Sequence, residues 1–123
     1  MTVSRWAAAL CGLVLGAWGA AAAAADFDAM VGKWAWEGYV IKVTKEGPYG
    51  LSAKVIEGPK NVGMEMIQSE PDLRADFFIA KVKHPANGKV YHTKISQQGP
   101  DTWQLDGCTD GGACATGVFT RVE

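Results

Sequence analysis

Two histidines and two carboxylates form the first set of side chains that could carry chemistry. His84 and His92 are the only histidines, and a loop rich in turn residues separates them. With Asp76 or Asp110 they would make an incomplete metal site, because structural zinc takes about four ligands that usually include thiolates. The sequence therefore predicts no metal site, and we expect these histidines to be solvated or hydrogen-bonded.

Serines and paired carboxylates form the second set. No serine beyond residue 25 lies in a Gly-x-Ser-x-Gly elbow, and none has a histidine or acid placed beside it by spacing. General acid catalysis requires a buried carboxyl group, whereas the acidic pairs fall in turns or on polar strand faces. We therefore predict that the chain is not an enzyme and uses no cofactor. The enzyme alternative would require titratable groups that gather in a concave site.

The cysteines Cys108 and Cys114 form the third set. Redox motifs place two residues between their cysteines, and here there are five. In an oxidising compartment, an even pair in a small domain forms one disulfide most simply, and a catalytic pair is the weaker alternative. Closing this short loop would restrict the unfolded chain by about 2 kcal/mol.

Aromatic and methionine side chains favour binding over catalysis. They fall at strand positions that alternate with polar residues, so we expect them to face inward. Two interpretations stay open: they fill a packed core, or they line an apolar pocket at the mouth, where methionines adapt to a ligand and His92 or Lys94 orients it. The candidate ligand-binding residues are Trp36, Tyr39, Met64, Met66, Phe77, His92 and Trp103.

The first 25 residues have the order of a secretory signal peptide. Arg5 precedes an apolar run, and an alanine tract ends at Ala25, where we predict cleavage. The alternative is a retained membrane anchor, but a span needs about 20 apolar residues and the alanine tract is only weakly hydrophobic. We therefore predict a periplasmic or secreted bacterial protein with no stable membrane insertion after cleavage.

Residues 26–123 then form a single domain with little net charge. They keep 11 basic residues, the 12 of the whole chain less Arg5, and all 13 acidic ones. This corresponds to a formal charge of −2 with no run of either sign. Nucleic acid and anionic membrane surfaces are therefore not expected partners, and we expect a monomer.

The domain has the hydrophobic period of two that is typical of half-buried strands. Turn residues at 46–50 and 85–88 separate such segments, and the spacing predicts eight strands with no helix long enough for a crossover. Before them, Phe27, Met30 and Val31 have the spacing of one helical face. We predict an all-β fold, a small eight-stranded antiparallel up-and-down barrel with a short N-terminal helix. A two-sheet sandwich is the alternative.

The two ends of the domain supply the argument for closure. Trp34 and Trp36 share one face of the first strand, and Phe119 and Arg121 share one face of the last. A closed barrel would lay these strands side by side, and Arg121 would then stack over Trp34 or Trp36 as a cation–π pair.

This pattern resembles the lipocalins and the wider calycins, which have a short helix, a Gly-x-Trp and a late arginine; here these are Gly32, Trp34 and Arg121. More narrowly, the second half of the chain resembles a family of small exported bacterial proteins known as domain of unknown function 2147. The resemblance implies a lipocalin-like barrel in which Gly32, Trp34, Phe119 and Arg121 are structural, and it implies no defined chemistry. Family members usually have tryptophan in place of Phe119. The matching segments are residues 84–91, 105–108, 111–114 and 119–122.

Two functional hypotheses follow. The first is non-catalytic binding of a small apolar or amphipathic ligand inside the barrel. The alternative is a periplasmic protein-binding module, such as an inhibitor of a protease or a lysozyme, which would act through an exposed loop or terminus.

Overall fold

A computed structural model describes residues 27–122, so the predicted signal peptide, residues 1–25, lies outside the described part. The described part begins with one turn of 3-10 helix, Phe27–Met30, which corresponds to the predicted short helix. Eight strands follow: β1 (Gly32–Trp36), β2 (Tyr39–Thr44), β3 (Ser52–Glu57), β4 (Asp72–Leu73), β5 (Phe77–Lys83), β6 (Val90–Gly99), β7 (Thr102–Cys108) and β8 (Cys114–Arg121).

The eight strands form one antiparallel sheet in the order β3-β2-β1-β8-β7-β6-β5-β4. Strands that follow one another in sequence are neighbours, except for β3 and β4, and the first strand pairs with the last. The predicted all-β, eight-stranded antiparallel fold is confirmed. The curled sheet leaves β3 and the very short β4 as its two edges.

An irregular stretch, residues 63–68, lies between β3 and β5 and is called the seam here. The Met66 amide donates to the Ala53 carbonyl of β3 at 2.8 Å, and the Met66 carbonyl accepts from the Lys83 amide of β5 at 2.7 Å. The Glu65 carboxylate accepts from the amides of Ala53 at 2.7 Å and Ile67 at 3.1 Å. The seam therefore connects β3 to β5 through main-chain bonds, although its regular pairing is limited to isolated bridges.

The interior of the sheet is packed through most of its length. Trp34, Phe78, Trp103 and Phe119 are among the largest fully buried side chains. Only about 10 Å³ of space remains among the side chains in the middle of the barrel. This is room for one water molecule at most. In this region, the structure supports the interpretation that the inward-facing side chains fill a packed core.

One end of the barrel is covered by the 3-10 helix, and we call it the helix-covered end. Trp34 pairs directly with Arg121 across β1 and β8, and the guanidinium carbon lies 4.3 Å from the centre of the indole. The Trp34 indole N–H donates to the Met30 carbonyl at 2.8 Å. The predicted pairing of the first and last strands and the predicted cation–π pair are confirmed, with Trp34 as the partner.

Arg121 also satisfies backbone groups of the helix. Its guanidinium donates to the carbonyls of Ala29 at 2.7 Å and Val31 at 3.0 Å, and to the Asp101 carboxylate at 3.0 Å. Gly32 starts the first strand with a φ of 139°, a conformation that L side chains rarely adopt. The 3-10 helix, Gly32 after it and Arg121 thus close this end together.

Candidate functional site

The opposite end, where the β1–β2, β5–β6 and β7–β8 hairpins meet, is called the hairpin end. It contains a cavity of about 40 Å³ that opens to the surface, which we call the end pocket. Its wall is mainly apolar. The lining residues are Trp36, Met66, Val82, His84, Tyr91, Thr93, Leu105, Gly107, Ala115, Thr116, Gly117 and Phe119.

The pocket exists because β7 and β8 carry small residues at this end. Gly107 pairs with Ala115, and Leu105 pairs with Gly117. Little side-chain volume therefore projects into the barrel here. The Trp36 indole lies against Gly117: a Cβ atom at that glycine would come within 2.5 Å of Nε1. Only glycine can therefore accept the indole at this distance.

Trp36 has an unusual polar group next to the pocket wall. The side chain is 8% exposed, and its indole N–H is buried without a hydrogen-bond partner among the described residues. Trp103 has the other such indole in this part of the chain, but it is fully buried in the core and does not line the end pocket. A buried donor without an acceptor is costly, so this position of Trp36 is a cost to the fold.

His84 lies beside Trp36 at the end of β5. The two ring centres are 4.7 Å apart in an edge-on arrangement, and the Tyr91 ring lies 5.8 Å from the imidazole. The Nδ1 atom accepts a hydrogen bond from the Ala86 amide at 3.0 Å. Burial lowers the pKa of His84, and the negative charge of Glu37 opposes this shift. The ring is therefore held neutral, with its remaining proton on Nε2.

The hydroxyl groups of the lining threonines are already engaged within the protein. Thr93 donates to the Tyr91 carbonyl at 3.0 Å, and Thr116 donates to the Asp106 carboxylate at 2.7 Å. The Tyr91 hydroxyl accepts from the Asn87 amide at 3.0 Å. The indole nitrogen of Trp36 is buried against Gly117 and is not open to the cavity, so the His84 imidazole is the nitrogen-bearing ring that remains in the wall.

The structure distributes the sequence-predicted ligand residues over different environments. Trp36 and Met66 line the end pocket. Tyr39 stacks on Trp36 with ring centres 5.9 Å apart, and so supports the pocket wall from behind. Met64 is half-buried against the core, and Trp103 belongs to the core itself. Their role in ligand binding stays a prediction.

For two predicted residues the expected inward orientation is wrong. On β5, Phe78 and not Phe77 faces the core, and the Lys94 ammonium lies 4.7 Å from the centre of the half-buried Phe77 ring. On β6, the inward positions belong to the residues on either side of His92. His92 is exposed and pairs with Asp110 at 2.7 Å. In both cases the inward-facing positions are displaced by one residue from the predicted ones. A displacement of one residue exchanges the two faces of a strand.

The pocket residues that sequence reasoning missed include His84, Tyr91, Gly107 and Gly117. His84 and Tyr91 flank the β5–β6 loop, whose composition predicted a hairpin. The two glycines occupy strand positions where an inward side chain would be expected, and a glycine inside a strand often marks a close approach of another group. That signal could have indicated the pocket.

The predicted disulfide is present between Cys108 and Cys114, with an S–S distance of 2.04 Å. It lies at the β7–β8 turn, next to Gly107 and Ala115 of the pocket wall. Within residues 27–122, no three His, Cys, Asp or Glu side chains gather in a way that could hold a metal ion. In the same range, no helix has the length and hydrophobicity needed to span a membrane.

Comparison of the chain with protein-family models, curated proteins and solved structures found no match.

Proposed function

We propose that this chain is an exported, non-catalytic binding protein for a small apolar or amphipathic molecule, one group of which enters the end pocket. The observation that carries this proposal is the end pocket itself, a mainly apolar cavity that opens to the surface and has His84, Tyr91 and two threonines in its wall. Ligand sites typically combine an apolar lining with a few polar groups of this kind.

The volume of the pocket limits what can enter. A cavity of about 40 Å³ has room for roughly three water-sized groups. A whole lipid does not fit, and the packed side chains in the middle of the barrel prevent a ligand from entering more deeply. The remainder of a ligand would lie outside, against exposed positions such as Ala115 and Thr116.

Export and family membership belong to the same proposal. The charged, apolar and small-residue order of residues 1–25 supports secretion, and so does the Cys108–Cys114 disulfide, since such bonds persist in oxidising compartments. The resemblance to domain of unknown function 2147 is consistent with the fold, because both imply a small barrel with Trp34 and Arg121 in contact.

The second candidate function is binding of a periplasmic protein, such as a protease or a lysozyme. The small volume of the pocket favours it specifically, because a single side chain of a partner is about the size that the cavity admits. The exposed β7–β8 turn beside the pocket would then form part of the contact surface.

Proton–nitrogen correlation spectra of isotope-labelled protein test the first candidate, because each tryptophan indole has its own signal. We expect small apolar compounds to move the signals of Trp36, Gly107 and Gly117 in a saturable way, and to leave the Trp34 indole unchanged. Ala115→Leu places a larger side chain in the pocket at an exposed position and should abolish these shifts.

Val118→Leu is the matched control, because Val118 lies on the same strand but is 47% exposed and does not line the pocket. It should bind as the original protein does. Shifts that persist in Ala115→Leu, or a broad set of small compounds that leaves the pocket signals in place, would contradict the proposal. A protein partner that binds the original chain and Val118→Leu but not Ala115→Leu would establish the second candidate.

A further inference from the structure

We propose that the open edge of β4 pairs with the same edge of a second copy of this chain, so that two barrels share one continuous antiparallel sheet. The residues that carry this proposal are Asp72, Leu73 and Arg74, which we call the β4 edge. A dimer replaces the monomer expected from the sequence. The β4 edge lies at the helix-covered end, because Leu73 pairs with Phe78, whose ring centre is 5.0 Å from that of Phe27 in the 3-10 helix. This surface is therefore separate from the end pocket.

The main chain of Leu73 presents its hydrogen-bonding groups to the open side of β4. In an antiparallel pair of strands, hydrogen-bonded and non-hydrogen-bonded residue pairs alternate. The Arg74 amide donates to the Phe77 carbonyl at 2.9 Å, so the next pair, Leu73 with Phe78, is a non-hydrogen-bonded one. The N–H and C=O of Leu73 therefore point away from β5. Within residues 27–122, no strand other than β5 pairs with β4, and no further main-chain bond of Leu73 is found.

The side chain of Leu73 is exposed on the face of the sheet that elsewhere forms the core. Directly opposite residues share a face, so Leu73 lies on the inward side with Phe78. Phe78 is fully buried, whereas Leu73 is 59% exposed. Residues 72–76 are all exposed, so the described chain leaves the open side of β4 uncovered. A strand added here would cover part of the leucine and would bond to main-chain groups that now face solvent.

The charges of the β4 edge match those of an identical strand that runs in the opposite direction. Asp72 and Arg74 lie two positions apart on the outward face, where both side chains are at least half exposed. A two-fold axis at Leu73 pairs this leucine with its copy and places each Asp72 opposite the Arg74 of the other chain. Two pairs of opposite charges then form across the strands, and each favours the pairing. A two-fold interface requires a patch that is complementary to itself in this way.

Other registers of the same two strands are less favourable. A shift by one residue would set the inward face of one sheet against the outward face of the other. A two-fold axis at Asp72 or at Arg74 would place like charges directly opposite each other, which is destabilising. Pro71 has no N–H and so limits the pairing on one side. Charges and proline also protect edges from general aggregation, and here they restrict the pairing to one antiparallel register.

The short length of the β4 edge predicts a weak and reversible dimer. Each copy contributes far fewer residues than the about 20–30 of a standard stable interface, so we expect a dissociation constant of about 0.01–1 mM. Sedimentation equilibrium of the purified protein measures this, at low salt because exposed charge pairs are screened. As the concentration increases from about 10 µM to 2 mM, the average mass should rise toward that of a dimer. The amide signal of Leu73 should shift over the same range.

An exchange of charges tests the register. Arg74→Asp and Asp72→Arg should each weaken the dimer at least about tenfold, because two opposite-charge pairs become like-charge pairs. The double variant Asp72→Arg/Arg74→Asp should associate again, and so should an equal mixture of the two single variants. Asp110→Arg is the matched control, because it makes the same change of charge at an exposed position of the hairpin end. It should associate as the original protein does.

Leu73→Pro tests the main-chain bonds. It removes an N–H that faces the open side and leaves the bonds between β4 and β5 in place, and proline is tolerated at such edge positions. The variant should fold and remain monomeric at all concentrations. If it folds poorly, the charge variants decide the question, since their side chains are exposed.

Three results would overturn the inference. The first is a constant monomer mass over the whole concentration range. The second is association that Arg74→Asp does not weaken, because the contact then lies elsewhere. The third is a monomer in which the Leu73 amide is protected from hydrogen exchange, because another segment of the same chain then covers the edge. Ligand binding in the end pocket should be the same in all these variants, so failure of either proposal is recognised separately.

Discussion

Two tryptophans on the same face of β1 have opposite environments. Trp34 is fully buried, its N–H is bonded to the Met30 carbonyl, and the Arg121 guanidinium covers its ring. Trp36, two positions further on, has a buried N–H without a partner among the described residues and lies against a glycine at the wall of a cavity. The strand and the residue type are the same, so the difference comes from the neighbours.

This difference separates the two ends of the barrel. At the helix-covered end, Arg121 connects the first and last strands, and the Met30 carbonyl accepts from the indole N–H of Trp34. At the hairpin end, small residues replace the filling side chains, and the indole N–H of Trp36 has no acceptor among the described residues. A buried unsatisfied group is a cost to the fold.

The largest expected effect is the loss of Arg121. Arg121→Ala removes the cation–π contact and the donors to Ala29 and Val31, so the free energy of unfolding should fall by about 2–4 kcal/mol. Denaturant unfolding measures this. Arg121→Lys keeps the charge but cannot reach both carbonyls and should lie in between. A loss below about 0.5 kcal/mol, the range of ordinary surface changes, would show that this end is not closed by the arginine.

The second effect concerns the disulfide at the hairpin end. Replacing Cys108 and Cys114 together by serine should lower the free energy of unfolding by about 2 kcal/mol, because the unfolded chain gains freedom. The neighbouring pocket wall at Gly107 and Ala115 should exchange its amide hydrogens faster, whereas Trp34 and its surroundings should not change. Unchanged unfolding of the double variant, or faster exchange mainly at the helix-covered end, would contradict this assignment.

The helix-covered end was largely predictable, and the end pocket was not. Trp34 and Arg121 could be paired because they lie in the first and last of an even number of strands, which a barrel topology places side by side. The register of the other strands could not be predicted from the sequence as reliably. Phe77 and Phe78 are equally apolar neighbours, and only pairing with β6 decides which one faces the core.

The pocket itself depends on contacts between residues distant in sequence. Gly107 and Gly117 form a gap only because β7 and β8 align them against Trp36 of β1. A glycine in a strand can mark a bulge, a weak position or a close approach, and the sequence does not distinguish these without the register. His84 was considered as a metal ligand, whereas its surroundings are aromatic.

The third prediction compares the two tryptophans directly. Trp34→Phe and Trp36→Phe delete the same atoms, so much of their cost in packing is shared. Trp34→Phe also loses a hydrogen bond and part of a cation–π contact, whereas Trp36→Phe removes an unpaired donor. We expect Trp34→Phe to be more destabilising by about 1–2 kcal/mol in denaturant unfolding. Equal losses would mean that the two ends do not differ in polar satisfaction.

The smallest expected effect is a pH dependence that arises from His84. Burial lowers its pKa below the ordinary value of 6.5 in the folded state, so the unfolded state binds more protons and stability falls as the pH decreases below about 6.5. Protonation of Nδ1 would also break its bond to the Ala86 amide and loosen the pocket mouth. His84→Gln should remove this dependence while retaining a polar side chain. The free energy of unfolding is measured between about pH 7.5 and 5 in the original protein and in His84→Gln. The difference between the two isolates the contribution of His84, since both proteins contain His92 and all the carboxylates. Parallel curves would show that the imidazole beside Trp36 is not held neutral by its surroundings.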